Sequence, residues 1–230
     1  MNVLRIAIWA AIGSLLLWSF EAVASEDDCV VHTAAQRASW VAGLERRLHN
    51  HDPLHAAQMS KVASEIINGD VDALKSDVDS GLDSNAVLKL GEKSVSDRSL
   101  LTLAAAACQR DVAKQLIAAG ASVNGIGDSV PLVAAGGSGA TSITELLLHH
   151  GASVDKVDWS GHTALEDAVR PHRPSTVHLL LSHGSDPNRM VGGGTILDLV
   201  AHSSVPTDQA VARELRAYGA GAALTSAHAQ

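Results

Sequence analysis

The stretch best suited to chemistry reads His-Asn-His-Asp-Pro-Leu-His and places His49, His51, Asp52 and His55 within seven residues. Imidazole nitrogens and a carboxylate in close succession can bind zinc or copper. A structural metal site, however, needs four well-placed ligands, and Pro53 opposes a helix that would bring His51 and His55 to one face. We therefore expect no metal or other cofactor. Metal binding through His49, His51 and His55 stays as the alternative function.

Two glycine-rich segments could be taken for catalytic loops. Residues 136–139 read Gly-Gly-Ser-Gly and residues 192–194 read Gly-Gly-Gly. Phosphate-binding loops and nucleophile turns follow a strand and carry further motif residues, which are missing from both segments. Ser138 is therefore expected to be a loop residue rather than a nucleophile. Since no arrangement of acid, base and nucleophile stands out, the sequence predicts a protein that is not an enzyme.

The first 24 residues have the pattern of a secretory signal peptide. Arg5 gives a positive start, residues 6–20 are an apolar run, and residues 22–24 read Ala-Val-Ala, which is a cleavage pattern. We expect cleavage after Ala24 and a periplasmic or secreted protein. No Asn-x-Ser/Thr sequence occurs, which favours a bacterial periplasm. The alternative is an uncleaved anchor, the one case in which membrane association would be expected.

Charge and aromatic content exclude a nucleic-acid partner. The net charge is -8, whereas nucleic-acid binding needs a basic surface. Beyond the signal segment the aromatic residues are Trp40, Trp159 and Tyr218, too few for a row of rings that stacks bases. A core must therefore be filled by Leu, Val, Ile and Ala, which suits closely packed helices.

A repeat runs through the remaining chain. In each unit a glycine is followed four residues later by Asn or Asp. The residues that open the units lie 31, 33 and 32 positions apart, and a constant period near this length indicates a stacked repeat architecture. The glycine pairs are Gly81–Asn85, Gly120–Asn124, Gly151–Asp155 and Gly184–Asn188, and the opening residues are Ser99, Val130, Thr163 and Thr195.

Each unit reads as two short helices and a turn. In the second unit, Leu101 and Ala104 share one face of a first helix, and Val112 and Leu116 share one face of a second. Gly120 stands where the second helix should end, because glycine adopts the left-handed C′ conformation without strain. Since one helix pair cannot bury its own apolar face, it must stack on a neighbour.

This pattern resembles the ankyrin repeat family. Residues 130–155 and 161–188 follow the family's Thr-Pro-Leu-His, Leu-Leu and Gly-Ala-x-x-Asn positions, and Gly139 stands at its interhelix glycine. The resemblance implies an all-α ankyrin-repeat solenoid of stacked helix-turn-helix units with hairpin loops. The family's His is replaced in every clear unit, so its hydrogen-bond network between units is not expected in the usual form. The replacing residues are Thr102, Val133, Glu166 and Asp198.

The chain is thus divided into a signal peptide at 1–24, an N-terminal helical cap at 25–59, about five ankyrin units at 60–220 and a frayed tail at 221–230. The cap should turn Trp40, Val41 and Leu44 inward. The first unit is degenerate, with Asp77 where a Leu belongs, as expected of an end unit with one wet face. The connection between residues 85 and 99 is longer than in later units.

In the ankyrin family, hairpin tips and first helices form a concave surface that binds other proteins. Carried over by register, the resemblance implies a non-catalytic interaction module with one protein partner, as a scaffold, an accessory subunit or a toxin-neutralising inhibitor. Trp159 is expected either to anchor this partner or to lie flat on its own hairpin. The expected partner-binding residues are Ile126, Asp128, Lys156, Val157, Asp158, Trp159, Arg189 and Met190.

Cys29 and Cys108 are the two cysteines of the sequence. An oxidising compartment favours their pairing, and Cys29 lies near a flexible start from which it could reach the interhelix turn at Cys108. We predict a disulfide between them, with two free thiols as the alternative.

Overall fold

The structure, a computed structural model, describes residues 33–48, 53–89 and 97–221. Within these ranges the chain forms stacked pairs of antiparallel helices joined by short hairpins, which confirms the predicted all-α solenoid. The predicted signal segment, Cys29, His49 and His51 lie outside the described residues, as does the tail after Gly221.

Helix α1 (Ala34–Arg47) precedes five successive helical pairs. They are α2 (Pro53–Asn68) with α3 (Val71–Asp79), α4 (Leu100–Ala106) with α5 (Arg110–Ala118), α6 (Pro131–Ser138) with α7 (Thr141–His149), α8 (Ala164–Val169) with α9 (Pro174–Ser182), and a 3-10 helix (Ile196–Leu199) with α10 (Pro206–Ala217). Two hairpins carry antiparallel strands, β1 (Val87–Leu88) with β2 (Arg98–Ser99) and β3 (Met190–Val191) with β4 (Gly194–Thr195).

Helix α1 packs against the apolar core through part of its surface. In α1, Leu44 is buried, and Trp40 and Val41 are partly buried against the core. The boundary expected between residues 59 and 60 falls inside α2, which begins at Pro53. The helix continues because its apolar stripe continues: Met59 is buried, as are the residues that follow one and two turns later.

Left-handed residues end both helices of the first four pairs. Gly120 has φ +91°, and Gly139, between α6 and α7, has φ +72°, as the repeat pattern predicts. Cys108 and His172 hold the corresponding interhelix positions of their units, each with φ +60°. Because residues other than glycine rarely adopt this conformation, we infer that the stacking of the units holds these two turns in place.

The residue four positions after each glycine joins its unit to the next one. Its side-chain oxygen accepts a hydrogen bond from the backbone amide two residues after the next unit's glycine. This repeated contact explains why Asn or Asp recurs at that position. The acceptor–donor pairs are Asn85–Ser122 at 2.8 Å, Asn124–Ser153 at 2.8 Å, Asp155–Asp186 at 3.3 Å and Asn188–Gly221 at 3.0 Å.

Three of the four residues that replace the family's His make other polar contacts. Thr102 Oγ1 accepts a hydrogen bond from Ser129 Oγ of the following unit at 2.9 Å. Glu166 Oε1 accepts one from Arg189 Nε at 2.6 Å. Asp198 instead caps its own helix by accepting from the backbone amide of Thr195 at 2.7 Å. The contact made at this position therefore differs from one unit to the next.

The last unit departs from the others because its first helix is a short 3-10 turn, Ile196–Leu199. Val205 has an extended backbone and precedes Pro206, and a residue before proline is disfavoured in the helical region. The inserted residues therefore form a loop, and α10 starts after it.

Candidate functional site: the concave groove

A groove with a volume of about 550 Å³ lies on the concave side of the stack. Its lining comes from α1, which we call the wall, from α4 and α6, which we call the floor, and from three successive hairpin tips, which we call the rim. Residues Trp40 and Arg47 of α1, Leu103 and Val133 of the floor, and Trp159 of the rim all contribute to its lining. The sequence predicts the floor and the rim, but it does not predict that α1 closes one side.

Close helix packing makes the floor of the groove shallow and apolar. Leu103, Val133 and Ala134 line it. A side chain at Gly136 would place its Cβ only 2.4 Å from the carbonyl oxygen of Ala164, so α6 and α8 approach as closely as the glycine allows. The glycine at this position thus lets α6 and α8 pack in close contact.

Trp159 lies on the rim with 55% of its surface exposed. Its tip is held by Asp158, whose Oδ1 accepts hydrogen bonds from the Ser160 amide at 2.8 Å, the Ser160 hydroxyl at 2.6 Å and the His162 amide at 3.2 Å. Gly161 completes the turn with φ +80°. A hydrogen-bonded tip therefore carries a largely exposed indole that lines the groove.

Three of the expected partner-binding residues line the groove, namely Asp128, Asp158 and Trp159. Three others are exposed apolar side chains at the equivalent position of successive tips, six residues after each glycine, and we call them the apolar row. Because equivalent positions of a solenoid follow one another along the stack, the row runs beside the groove. Its members are Ile126, Val157 and Met190.

The last two expected residues make contacts within the stack. Lys156 Nζ donates a hydrogen bond to the Asn124 carbonyl oxygen at 2.8 Å. Arg189 bonds Glu166 and, through its second nitrogen, the Gly161 carbonyl oxygen at 3.0 Å. Their polar groups already have partners, so the geometry favours a role in holding the tips.

Sequence reasoning missed Trp40, Arg47, Arg98 and Asp97 as groove residues. Trp40 is assigned to the cap's buried face by its helical spacing, and it is indeed half-buried, but its remaining surface faces the groove. The two arginines and Asp97 lie outside the repeat motif. No periodic signal marks them, because their position depends on how α1 packs on the repeats.

Two groups of the groove have shifted pKa values. The pKa of Arg98 is lowered, first by burial among groove atoms and second by the charge of Arg47, against the attraction of Asp158. Burial raises the pKa of Asp167, and Asp158 adds to this effect. His162, whose Nδ1 lies 3.1 Å from Asp167 Oδ1, opposes it. The groove therefore contains charged groups of both signs, and the pKa values of Arg98 and Asp167 are shifted mainly by desolvation.

Ser138 is the last residue of α6, whereas the sequence predicts a loop position for it. Its hydroxyl donates to the carbonyl oxygens of Ala105 and Ala135 at 3.1 and 3.2 Å, which explains its place at a helix end.

Cys108 is disulfide-bonded, while its predicted partner Cys29 is not described. His55 lies in α2, and the described part of the chain contains no cluster of His, Cys, Asp or Glu able to hold a metal ion.

None of the helices among the described residues is long and apolar enough to cross a membrane. No curated protein is significantly similar to the sequence. Residues 101–191 match the family model described as ankyrin repeats (3 copies), and this range holds the three central units that form the floor and most of the rim. Residues 101–191 therefore carry ankyrin repeats, and the fold of the described chain is an all-α ankyrin-repeat solenoid.

Proposed function

We propose that the protein is a non-catalytic binding module that holds one protein partner in the concave groove. Ankyrin repeats are in general protein–protein interaction modules. The observation that carries the proposal is the pair Trp40 and Trp159, which line the same groove although one stands in α1 and the other on a hairpin tip. Tryptophan is the residue type most enriched at binding hot spots, and this chain has few aromatic residues to place.

The apolar row extends the proposed contact surface beyond the groove. Ile126, Val157 and Met190 together expose large apolar side chains along successive tips. Contiguous apolar surface rimmed by polar residues is typical of interaction sites. A partner that fills the groove and also covers this row would bury a continuous strip of the stack.

We further propose that this binding takes place in the periplasm, after removal of the signal segment. A partner there would be a complex that the protein scaffolds, an enzyme that it serves as an accessory subunit, or a toxin that it neutralises. The gene of a toxin antagonist is expected beside the gene of its toxin, which separates the last role from the first two.

The test is a capture experiment from periplasmic extract of the source organism. Tagged wild-type protein, Trp159→Ala and Tyr218→Ala are compared by quantitative mass spectrometry. Tyr218 is the matched control because it is an aromatic residue that is 39% exposed and lies outside the groove. We expect a specific protein to be captured by the wild type and Tyr218→Ala, and at least about tenfold less by Trp159→Ala, a difference of about 1.4 kcal/mol.

The melting temperature of each variant is measured in parallel. Trp159→Ala should melt close to the wild type, since its side chain is largely exposed. A captured protein that binds Trp159→Ala as well as the wild type would contradict binding in the groove. The proposed compartment is tested separately by sequencing the amino terminus of the exported protein, which should be Ser25; retention of Met1 would contradict export with cleavage.

A further inference from the structure

Three successive hairpins each contribute one carboxylate to the lining of the groove. Asp97 and Asp128 both stand two residues before the residue that opens their helix pair, and Asp158 lies in the next tip. The first two of these hairpins are joined directly, because the backbone amide of Ser99 donates a hydrogen bond to Ser129 Oγ at 2.9 Å. Asp97 and Asp128 therefore stand at equivalent positions of two hydrogen-bonded hairpins.

The Asp97 carboxylate lacks a hydrogen-bond donor. Its Oδ1 atom is buried and accepts no hydrogen bond from any described residue, although the residue as a whole is only partly buried and lines the groove. Nearly all buried polar atoms of folded proteins have a partner. Among the described residues, the ion pairs include neither Asp97 nor Asp128. The described chain thus leaves both carboxylates without a cation, which a ligand can supply.

Negative groups outnumber positive ones in the groove. Asp167 lies 3.1 Å from the imidazole of His162, and Asp158 uses Oδ1 to hold its own turn. Together with the two unpaired carboxylates, four aspartates line the groove against two guanidinium groups, those of Arg47 and Arg98. The whole chain has a net charge of -8, which attracts cations from a distance. A ligand of complementary charge is therefore cationic.

The rest of the lining limits the charge that such a ligand can carry. Arg47 and Arg98 line the same groove, so they would repel a run of basic residues. A single cationic side chain with apolar neighbours avoids this repulsion, because Leu103 and Val133 provide an apolar floor for those neighbours. Trp159, which is 55% exposed, adds an indole whose face attracts Lys or Arg through a cation–π interaction.

We propose that the groove binds a segment of the protein partner that directs one cationic side chain, Lys or Arg, towards Asp97 and Asp128 and carries apolar residues on both sides of it. This inference rests on the proposed function and names the chemistry of the segment that the groove recognises. The two carboxylates would accept charge-assisted hydrogen bonds, which are stronger than neutral ones, while the apolar residues cover the floor.

The test uses the full chain and four pentapeptides with blocked ends, LVKVL, LVRVL, LVQVL and LVEVL, so that the central side chain alone differs. Binding is followed by NMR at the indole N–H signals of Trp40 and Trp159. We expect LVKVL and LVRVL to bind about tenfold more tightly than LVQVL, since a charge-assisted hydrogen bond exceeds a neutral one by roughly that factor. LVEVL should bind most weakly. Added salt should reduce the preference, because it screens charges at a partly exposed site.

Three aspartate variants locate the effect. Asp97→Asn and Asp128→Asn should each remove much of the preference for LVKVL over LVQVL while leaving the affinity for LVQVL nearly unchanged, as expected of groups that interact with the central side chain. Asp79→Asn is the matched control, because Asp79 is exposed at the end of α3 and does not line the groove. It changes the net charge by the same amount and should retain the full preference. A thermal melt of each variant shows whether its fold is intact.

Equal binding of the four peptides, tightest binding of LVEVL, no binding of any peptide, or a full preference in both Asp97→Asn and Asp128→Asn would each overturn the recognition of a cationic side chain. The outcome for the proposed function is separate. If Asp97→Asn and Asp128→Asn capture the periplasmic partner as the wild type does while Trp159→Ala does not, the binding role stands and the cationic segment falls.

Discussion

Arg189 Nε lies 2.6 Å from Glu166 Oε1, and this ion pair joins the last hairpin to the first helix of the fourth unit. The Glu166 side chain is 2% exposed, whereas that of Arg189 is 34% exposed. The carboxylate is thus the buried member, and its charge depends on the arginine for compensation.

We predict that Arg189→Ala lowers the free energy of unfolding by about 3–5 kcal/mol, because it leaves an uncompensated buried charge. The measurement is a urea denaturation curve. Combining it with Glu166→Gln should restore much of the loss, since a neutral amide costs less to bury than a carboxylate. Arg213→Ala, at an exposed position of α10, should change stability by less than about 0.5 kcal/mol. An equal loss for Arg189→Ala with and without Glu166→Gln would contradict the role of buried charge.

The contact between Asn124 and the Ser153 amide gives a second prediction. Asn124→Ala removes the side-chain acceptor from a backbone amide of the next unit, and because this hydrogen bond is exposed we expect a loss of about 0.5–1.5 kcal/mol. Asn124→Asp keeps the acceptor, and Asp155 shows that a carboxylate serves at the equivalent position. Denaturation curves should therefore place Asn124→Asp close to the wild type. If both variants lose stability equally, the oxygen acceptor is not what matters at this position.

The raised pKa of Asp167 predicts a pH dependence of stability. The folded protein binds this proton more tightly than the unfolded chain, whose Asp pKa is about 3.9, so stability should fall as pH rises from that value through the higher folded-state pKa. The substitution Asp167→Asn removes the titration. Urea curves between about pH 4 and about pH 7 should show that the stability of the Asp167→Asn variant relative to the wild type increases with pH.

The matched control for this titration is Asp128→Asn, a change at another aspartate of the groove. Because it leaves Asp167 and His162 in place, it should keep the decline that Asp167→Asn removes. A stability difference between Asp167→Asn and the wild type that does not vary with pH would show that the buried carboxylate is not the cause.

The disulfide state of Cys108 leads to a prediction about the whole chain. Cys29 is the other cysteine of the sequence, and we expect the two to be bridged. A loop of this length should contribute roughly 4–5 kcal/mol by the chain-entropy model. Thiol counting on the unreduced, unfolded protein should find no titratable thiol, and two thiols would reject the bridge.

The regular part of the fold was predictable because the same two backbone requirements recur in successive units. A left-handed turn needs Gly120 or its equivalent, and the adjoining amide needs Asn124 or its equivalent. Both requirements place a particular residue type at a fixed spacing, so the helices and hairpins of the central units could be predicted.

The groove was only partly predictable, for the opposite reason. Arg47 and Arg98 line the same groove because α1 packs against the repeats. Helix α1 occurs once in the chain, so no repeating pattern in the sequence marks this contact. The sequence places Arg189 at a hairpin tip and therefore predicts that it contacts the protein partner. It does not show that Arg189 pairs with Glu166, which lies 23 residues earlier. Contacts between distant, non-repeating residues leave no periodic signal.

The placement of Trp40 and Trp159 also has a spectroscopic consequence. Cleavage after Ala24 would remove Trp9 and Trp18, and the two indoles left in the chain both line the groove. The intrinsic fluorescence of the exported protein would then come almost entirely from its binding site, without any attached label. A partner that fills the groove should change both emission wavelength and quenching by solutes, whereas a partner bound to the convex side should change neither.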